Sequence, residues 1–286
     1  MKPLAIDLFC GLGGWTDGLL AEGYDVIGFD IERHEYWVPE DVGHADGRKG
    51  TRPIEKRGWT QGCAISLGME GSSARPRTKL LRYPAQLVIQ DVLTLHGSQF
   101  RNADLIVASP PCQEYSYMAM PWSRAKAIAA DYREGRRDVA KLTALFDACF
   151  RIQREACDAS GRHIPLIVEN VRGAIPWVGR SRWNFGSFHL WGDVPALMPV
   201  TLKAAKVPGF RFDGSGRSFQ TASVENSGVK QGGDWFNSAE PSISRMTGSK
   251  SPARKAASAM IAKIPLTLSR HIAATFKPAQ TTREVA

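Results

Sequence analysis

Residues 3–14 read PLAIDLFCGLGG. The first seven, PLAIDLF, are apolar, short and ended by a glycine-rich stretch, the mark of a buried strand. Gly11, Gly13 and Gly14 then form a turn. Trp15 to Ala21 have helical character, with Gly23 just past the end. Asp25 to Phe29, DVIGF, is a second apolar strand running into Asp30. Strand, glycine turn, helix and strand in direct succession predict a parallel sheet with helices on its faces, an α/β fold.

The rhythm breaks over residues 34–84, which have little periodicity and many glycines and prolines. Residues 44–86 hold nine Lys/Arg against three Asp/Glu. This reads as a solvated surface insertion; a loop touching a nucleic-acid backbone is the sharper alternative. The rhythm returns with strands at 86–92 (QLVIQDV) and 104–108 (DLIVA), the second leading into SPPCQEYS. Helices are expected at 123–133 and 139–159, the longer with Leu142, Leu145, Phe146, Cys149 and Ile152 on one face. A strand at 164–168 leads into Glu169 and Asn170, and WNFGSFHLW at 183–191 reads as one more strand. Residues 193–250 shift to Gly, Ser, Pro and Asn with scattered aromatics, a loop-rich region outside the sheet. A helical pattern resumes at 252–277, interrupted near Pro265. The division expected is a catalytic part at 1–192, a small region at 193–250, and a helical segment at 251–286 that returns to the first part.

The 286 residues suffice for one large domain, or one large and one small, and for a core without covalent staples. Apolar residues are 43% and charged ones 23%, the balance of an ordinary globular chain. A net charge of +9 favours an anionic partner, nucleic acid before membrane. The five cysteines, Cys10, Cys63, Cys112, Cys149 and Cys157, lack zinc-knuckle spacing and read as reduced thiols of an intracellular protein. No apolar run reaches the roughly 18 residues of a membrane span, and a cytoplasmic location is expected.

Functional-looking groups gather at strand ends: Phe9 to Gly14, Asp30, Asp91, and Cys112 with Glu169. In open parallel sheets those ends share one crevice, where ligands bind. GLGG lets backbone approach a ligand closely, and Asp30 is placed to accept ribose hydroxyls; a tight turn and a helix cap are the plain alternatives. In SPPCQ, residues 109–113, two prolines hold Cys112 at a fixed angle after a strand. In VENV, residues 168–171, an acid and an amide at a strand end lose hydration unless they are engaged. Each has a structural explanation alone; their joint occurrence in this order points to chemistry.

DLFCGLGG, SPPCQEYS and ENV, in this order and spacing, resemble the core of the cytosine-C5 methyltransferases of the prokaryotic or bacteriophage type. The resemblance covers residues 4–35 and 86–277. Amino-group methyltransferases place an aromatic where Cys112 stands, and an aromatic cannot be a nucleophile. The resemblance implies a Rossmann-like S-adenosylmethionine methyltransferase fold, a mostly parallel twisted sheet with helices on both faces, plus a small loop-rich target-recognition region. It implies Cys112 as the thiolate that adds to C6 of cytosine, Glu169 at the N3 edge, and Asn170 orienting the pocket. Arg180 and Arg182, in VGRSR at 178–182, would anchor the base carbonyl and a phosphate, with Val178 in place of the family's glutamine. The cofactor pocket for S-adenosyl-L-methionine would comprise Phe9, Gly11, Gly13, Asp30, Ile31, Asp91, Val92, Pro110 and Leu145.

By the same resemblance, residues 193–250 would read the DNA sequence. Residues 201–257 hold nine Lys/Arg against four Asp/Glu, with Arg211, Arg217, Gln220, Asn226, Lys230, Gln231 and Asn237 of the types that reach base edges and phosphates. The partner expected is double-stranded DNA, with base flipping, no membrane and no obligatory protein partner, and a monomer as the acting unit. Restriction-modification or bacteriophage biology is the implied setting. The alternatives are cytosine-C5 methylation of tRNA and a catalytically silent nucleic-acid-binding protein of the same fold.

Overall fold

The computed structural model describes residues 2–39, 78–112, 115, 122–185, 188–198, 255, 259 and 262–279. Nine strands are described: β1 Leu4–Leu8, β2 Asp25–Asp30, β3 Tyr36–Pro39, β4 Thr78–Leu81, β5 Gln86–Ile89, β6 Leu105–Ala108, β7 Leu166–Asn170, β8 Trp183–Phe185 and β9 Phe188–Gly192. The helices are α1 Gly14–Ala21, α2 Trp122–Arg133, α3 Val139–Ser160, α4 Ile175–Val178 and α5 Leu266–Phe276. Seven strands form one sheet in the order β5-β2-β1-β6-β7-β9-β8. The pairs from β5 through β7 are parallel, and β9 runs antiparallel between β7 and β8. This is the Rossmann-like α/β sheet that the opening strand–turn–helix–strand unit predicts. Its strand order reverses between β1 and β6, so the crevice lies outside the carboxyl ends of those two strands.

The sheet is covered on both faces. Ile6, Leu8, Ile106, Leu166 and Val168 pack with Phe146, Cys149 and Ile152 of α3. Ala5, Val26, Leu105, Val107, Ile167 and Leu190 pack with Trp15 and Leu19 of α1 and Leu268 and Ile272 of α5. Most of these side chains are less than 5% exposed, each contributing on the order of 1.5–3 kcal/mol of burial. α1 and α5 approach so closely that a Cβ at Gly18 would overlap Ser269. Among the described residues no helix is long and apolar enough to cross a membrane.

Two expectations need correction. The stretch 183–191 is not one strand but two, β8 paired antiparallel with β9; Gly186 breaks the apolar run of the sequence between them. The segment 34–84 is not without regular structure: its two flanks, β3 and β4, pair antiparallel, Tyr36 opposite Leu81 and Pro39 opposite Thr78. Residues 40–77 between them, and the region expected to recognise DNA from 199 to 250, lie outside the described residues.

Candidate active site

The end of β1 sets the first wall of the crevice. Phe9 takes a left-handed conformation, φ 57°, rare for a residue with a β-carbon. It turns the chain sharply into Gly11 and Gly13, whose φ values are 50° and 74°. The turn is tied to β2: Cys10 N–H donates to Phe29 O at 3.2 Å and Gly11 N–H to Asp30 Oδ2 at 2.9 Å. Asp30 is 8% exposed. Burial pushes its pKa up, but hydrogen bonds from His34 and Gly11 N–H outweigh that and hold the carboxyl below the usual range. An ionised carboxylate at a strand end can accept the hydroxyls of a ribose. Ile31 beside it is 70% exposed, apolar surface that a purine ring could cover.

Asp91 follows β5, half-buried, and accepts from Leu93 N–H at 2.9 Å, capping a 3₁₀ turn at Val92–Thr94. Leu93 stays 47% exposed next to it, while Val92 is only 2% exposed and packs in the core. Leu145 is half-buried on α3, at the margin of the face that carries Leu142 and Phe146.

The second wall follows β6. Ser109 N–H donates to Leu8 O at 3.1 Å, and Trp15 Nε1 donates to Ser109 Oγ at 3.0 Å, so the loop is anchored to β1 and α1 together. Pro110 is buried, Pro111 exposed and Cys112 half-buried. Tyr115 N–H donates to Cys112 O at 3.0 Å, and the Tyr115 hydroxyl donates to Leu142 O at 2.7 Å, fixing the far side of the turn on α3. Cys10 and Cys149, by contrast, are buried, and burial pushes the pKa of both thiols far above its ordinary value. They are packing residues.

The third wall is the end of β7. Glu169 is 6% exposed and Asn170 1%. Asn170 Nδ2 donates to Pro110 O at 3.0 Å while its Oδ1 accepts from Val171 N–H at 2.8 Å. One amide thus clamps the carbonyl two residues before Cys112 to the strand end that carries Glu169. The loop that carries the Cys112 thiol is thereby tied to the strand end that carries the Glu169 carboxyl.

Arg180 and Arg182 line a groove of about 340 Å³ with Phe150, Gln153, His163, Trp191, Gly192 and Asp193. Gln153 Nε2 and Leu166 N–H both donate to Asp193 Oδ2 at 2.8 Å, so one end of the groove lies where β7 begins. Arg182 lies at the other level of the strand: its N–H bonds Leu190 O at 2.9 Å, and Leu190 of β9 stands opposite Glu169 of β7.

Sequence reasoning missed a buried polar chain under the glycine turn. Thr16 Oγ1 donates to Asp7 Oδ2 at 2.6 Å and lies 2.6 Å from the Tyr83 hydroxyl. The signal was present, since Asp7 is an acid inside the apolar run LAIDL. It also missed His34, whose Nε2 is 3.5 Å from Asp30 Oδ1 and which no motif marks. Among the described residues no group of three His, Cys, Asp or Glu could hold a metal ion.

No family model matches the chain, and no curated protein does. Solved structures match part of the chain. One is an E. coli prophage protein assigned as a DNA modification methyltransferase, 18% identical over 61% of this chain and 33% of that one, TM-score 0.30. Another is the Entamoeba histolytica methyltransferase EhMeth, 13% identical over 63% of this chain and 41% of that one, TM-score 0.33. A third is the S. pombe Dnmt2 methyltransferase, 12% identical over 63% of this chain and 37% of that one, TM-score 0.30. The chain spans between a third and about two fifths of the length of the structures it matches. None of these likenesses assigns an activity to this chain.

Proposed function

We propose that this chain methylates carbon 5 of cytosine in double-stranded DNA, with S-adenosyl-L-methionine as methyl donor and Cys112 as covalent nucleophile. The observation that carries the reading is the Asn170–Pro110 hydrogen bond, 3.0 Å, which joins the cysteine turn to the end of β7 where Glu169 is buried. The motifs of those two loops are the most specific part of the family resemblance.

The residues present fit the cofactor. An ionised Asp30 suits a vicinal diol, exposed Ile31 and Leu93 suit the faces of a purine, and the turn leaves backbone open at Gly11, where a Cβ would meet nothing within 4 Å. Phe9, Gly13, Asp91, Val92, Pro110 and Leu145 complete the set that the resemblance names. When bound, the cofactor supplies an electrophilic methyl group. C5 of cytosine is too weak a nucleophile to take that methyl unaided. Cys112 Sγ adds to C6, the ring gains electron density at C5, and Glu169 holds the N3 edge as charge builds there. After methylation a base removes the C5 proton, the C6–S bond breaks, and the thiolate leaves. Asn170 keeps the cysteine turn at the distance this addition needs. The target base must leave the duplex to reach the site. The positive charge of the chain suits the phosphate backbone, and residues 193–250 are the part proposed to read sequence. Arg180 and Arg182, one strand beyond Glu169, would anchor the base carbonyl and a phosphate, as the resemblance implies.

The test is methyl transfer from labelled S-adenosylmethionine to duplex DNA or to tRNA, with the native chain and Cys112→Ala. Label in DNA with the native chain, none with the variant, and unchanged cofactor binding by the variant are the expected results. Label in tRNA alone replaces the DNA reading; a variant that still methylates removes the covalent mechanism.

A further inference from the structure

Asp30 faces more donors than a ribose-binding carboxylate has room for. Its Oδ2 accepts from Gly11 N–H at 2.9 Å. Its Oδ1 accepts from Glu32 N–H at 3.4 Å and lies 3.5 Å from His34 Nε2. Each carboxylate oxygen offers about two lone-pair positions. A vicinal diol grips a carboxylate best with one hydroxyl on each oxygen. Oδ2 has a position left beside Gly11; both positions on Oδ1 are already faced. The Glu32 amide is held by the backbone. The imidazole is a side chain, 21% exposed, with the Tyr36 hydroxyl 3.1 Å from its Nδ1, so it is the donor that a rotation can move.

We propose that His34 is a placeholder on the ribose-binding carboxylate: it fills an acceptor position on Asp30 Oδ1 in the free protein and yields it when the diol of a nucleoside cofactor binds. This rests on the reading of Asp30 as the ribose acceptor.

The exchange moves a proton. The charged groups facing His34 are Asp30, Glu32, whose Oε1 is 3.8 Å from Nδ1, and Lys255 from the C-terminal segment; Tyr36 is its phenolic neighbour. The hydrogen bond to Asp30 is the main reason that His34 holds its proton above the ordinary 6.5, against burial and Lys255. A ligand that takes over Oδ1 removes that support, so His34 loses its proton more readily in the complex. A ligand whose binding expels a proton binds more weakly in acid. Affinity therefore rises with pH through the region just above 6.5 and levels off beyond it.

The experiment is calorimetric titration of the full chain with S-adenosylhomocysteine in buffers of different ionisation enthalpy, from about pH 6 to about pH 8. The native chain is expected to release a fraction of a proton and to bind severalfold more weakly at the acid end. His34→Gln, which can donate but cannot titrate, is expected to bind with no proton release at a pH-independent affinity. A 2′,3′-dideoxy analogue, lacking the diol, is expected to bind without proton release. Binding by the native chain without proton release, or a pH dependence that survives in His34→Gln, overturns the placeholder alone. No binding at any pH overturns the cofactor reading and the placeholder with it.

Discussion

Asp7 is a carboxyl group in the middle of the sheet, 1% exposed, and its replacement by asparagine isolates a single buried charge. Burial is the main cause that pushes its pKa from 3.8 to about 7; the Thr16 hydrogen bond pulls the other way, and the Asp30 charge adds to the rise. Oδ1 is buried with no hydrogen-bond partner among the described residues. In the unfolded chain the group ionises near 3.8, in the native one near 7. Between those values the native state holds a proton that the unfolded state has lost, so stability falls as pH rises across that window and levels off above it. A shift of about three units corresponds to on the order of 4 kcal/mol at full ionisation. Asp7→Asn is neutral at every pH. It keeps an acceptor for Thr16 but buries an amide N–H₂ that lacks a partner, at a cost of about 1–3 kcal/mol. The variant should thus gain on the native chain as pH rises, by roughly 2–3 kcal/mol between about pH 5 and about pH 8, and be the more stable of the two at the upper value. Urea unfolding of both proteins at the two values measures this, and the difference between them cancels every other titrating group. A difference that does not change with pH refutes the argument that Asp7 is charged and uncompensated above neutrality.

Other perturbations test the crevice walls. Asn170→Ala removes the clamp on Pro110 O, a buried hydrogen bond worth on the order of 1–2 kcal/mol. It should lower kcat about tenfold with little change in cofactor affinity, which steady-state methylation kinetics and calorimetry together report. Gly18→Ala drives a methyl group into Ser269 and should cost about 1–3 kcal/mol of stability by urea unfolding, because the obstacle includes α5 backbone.

The first unit of the fold was legible because its signals are local. The strand at 3–9, the helix at 15–21 and the strand at 25–29 appear as Leu4–Leu8, Gly14–Ala21 and Asp25–Asp30. The long amphipathic helix begins at Val139, capped by the Asp138 side chain on Ala140 N–H at 2.8 Å, and ends at Gly161 in the left-handed conformation. Such caps are written in a few adjacent residues. What was not legible depends on partners far apart in the chain. β3 and β4 pair across an interval with no periodicity of its own, and neither strand has an apolar face that announces it. The site divides the same way. Phe9, Gly11, Asp30, Cys112, Glu169 and Asn170 stand at strand ends that the pattern already marked. The arginine pair was placed by motif alone; the register of the hairpin, which no local pattern encodes, sets Arg182 beside Leu190, the partner of Glu169.

The union of α1 with α5 has a consequence for how the molecule is made. The Tyr24 hydroxyl donates to Ala273 O across 249 residues, and Gly14 and Gly18 are bare so that residues 263–269 can lie against them. A ribosome delivers α1 long before it delivers the surface that seals it. The nascent chain must carry Trp15 and Leu19 without that cover until residues 263–276 have been made, and loop closure of that span is slow. The face of the sheet under α1 is therefore sealed late in folding.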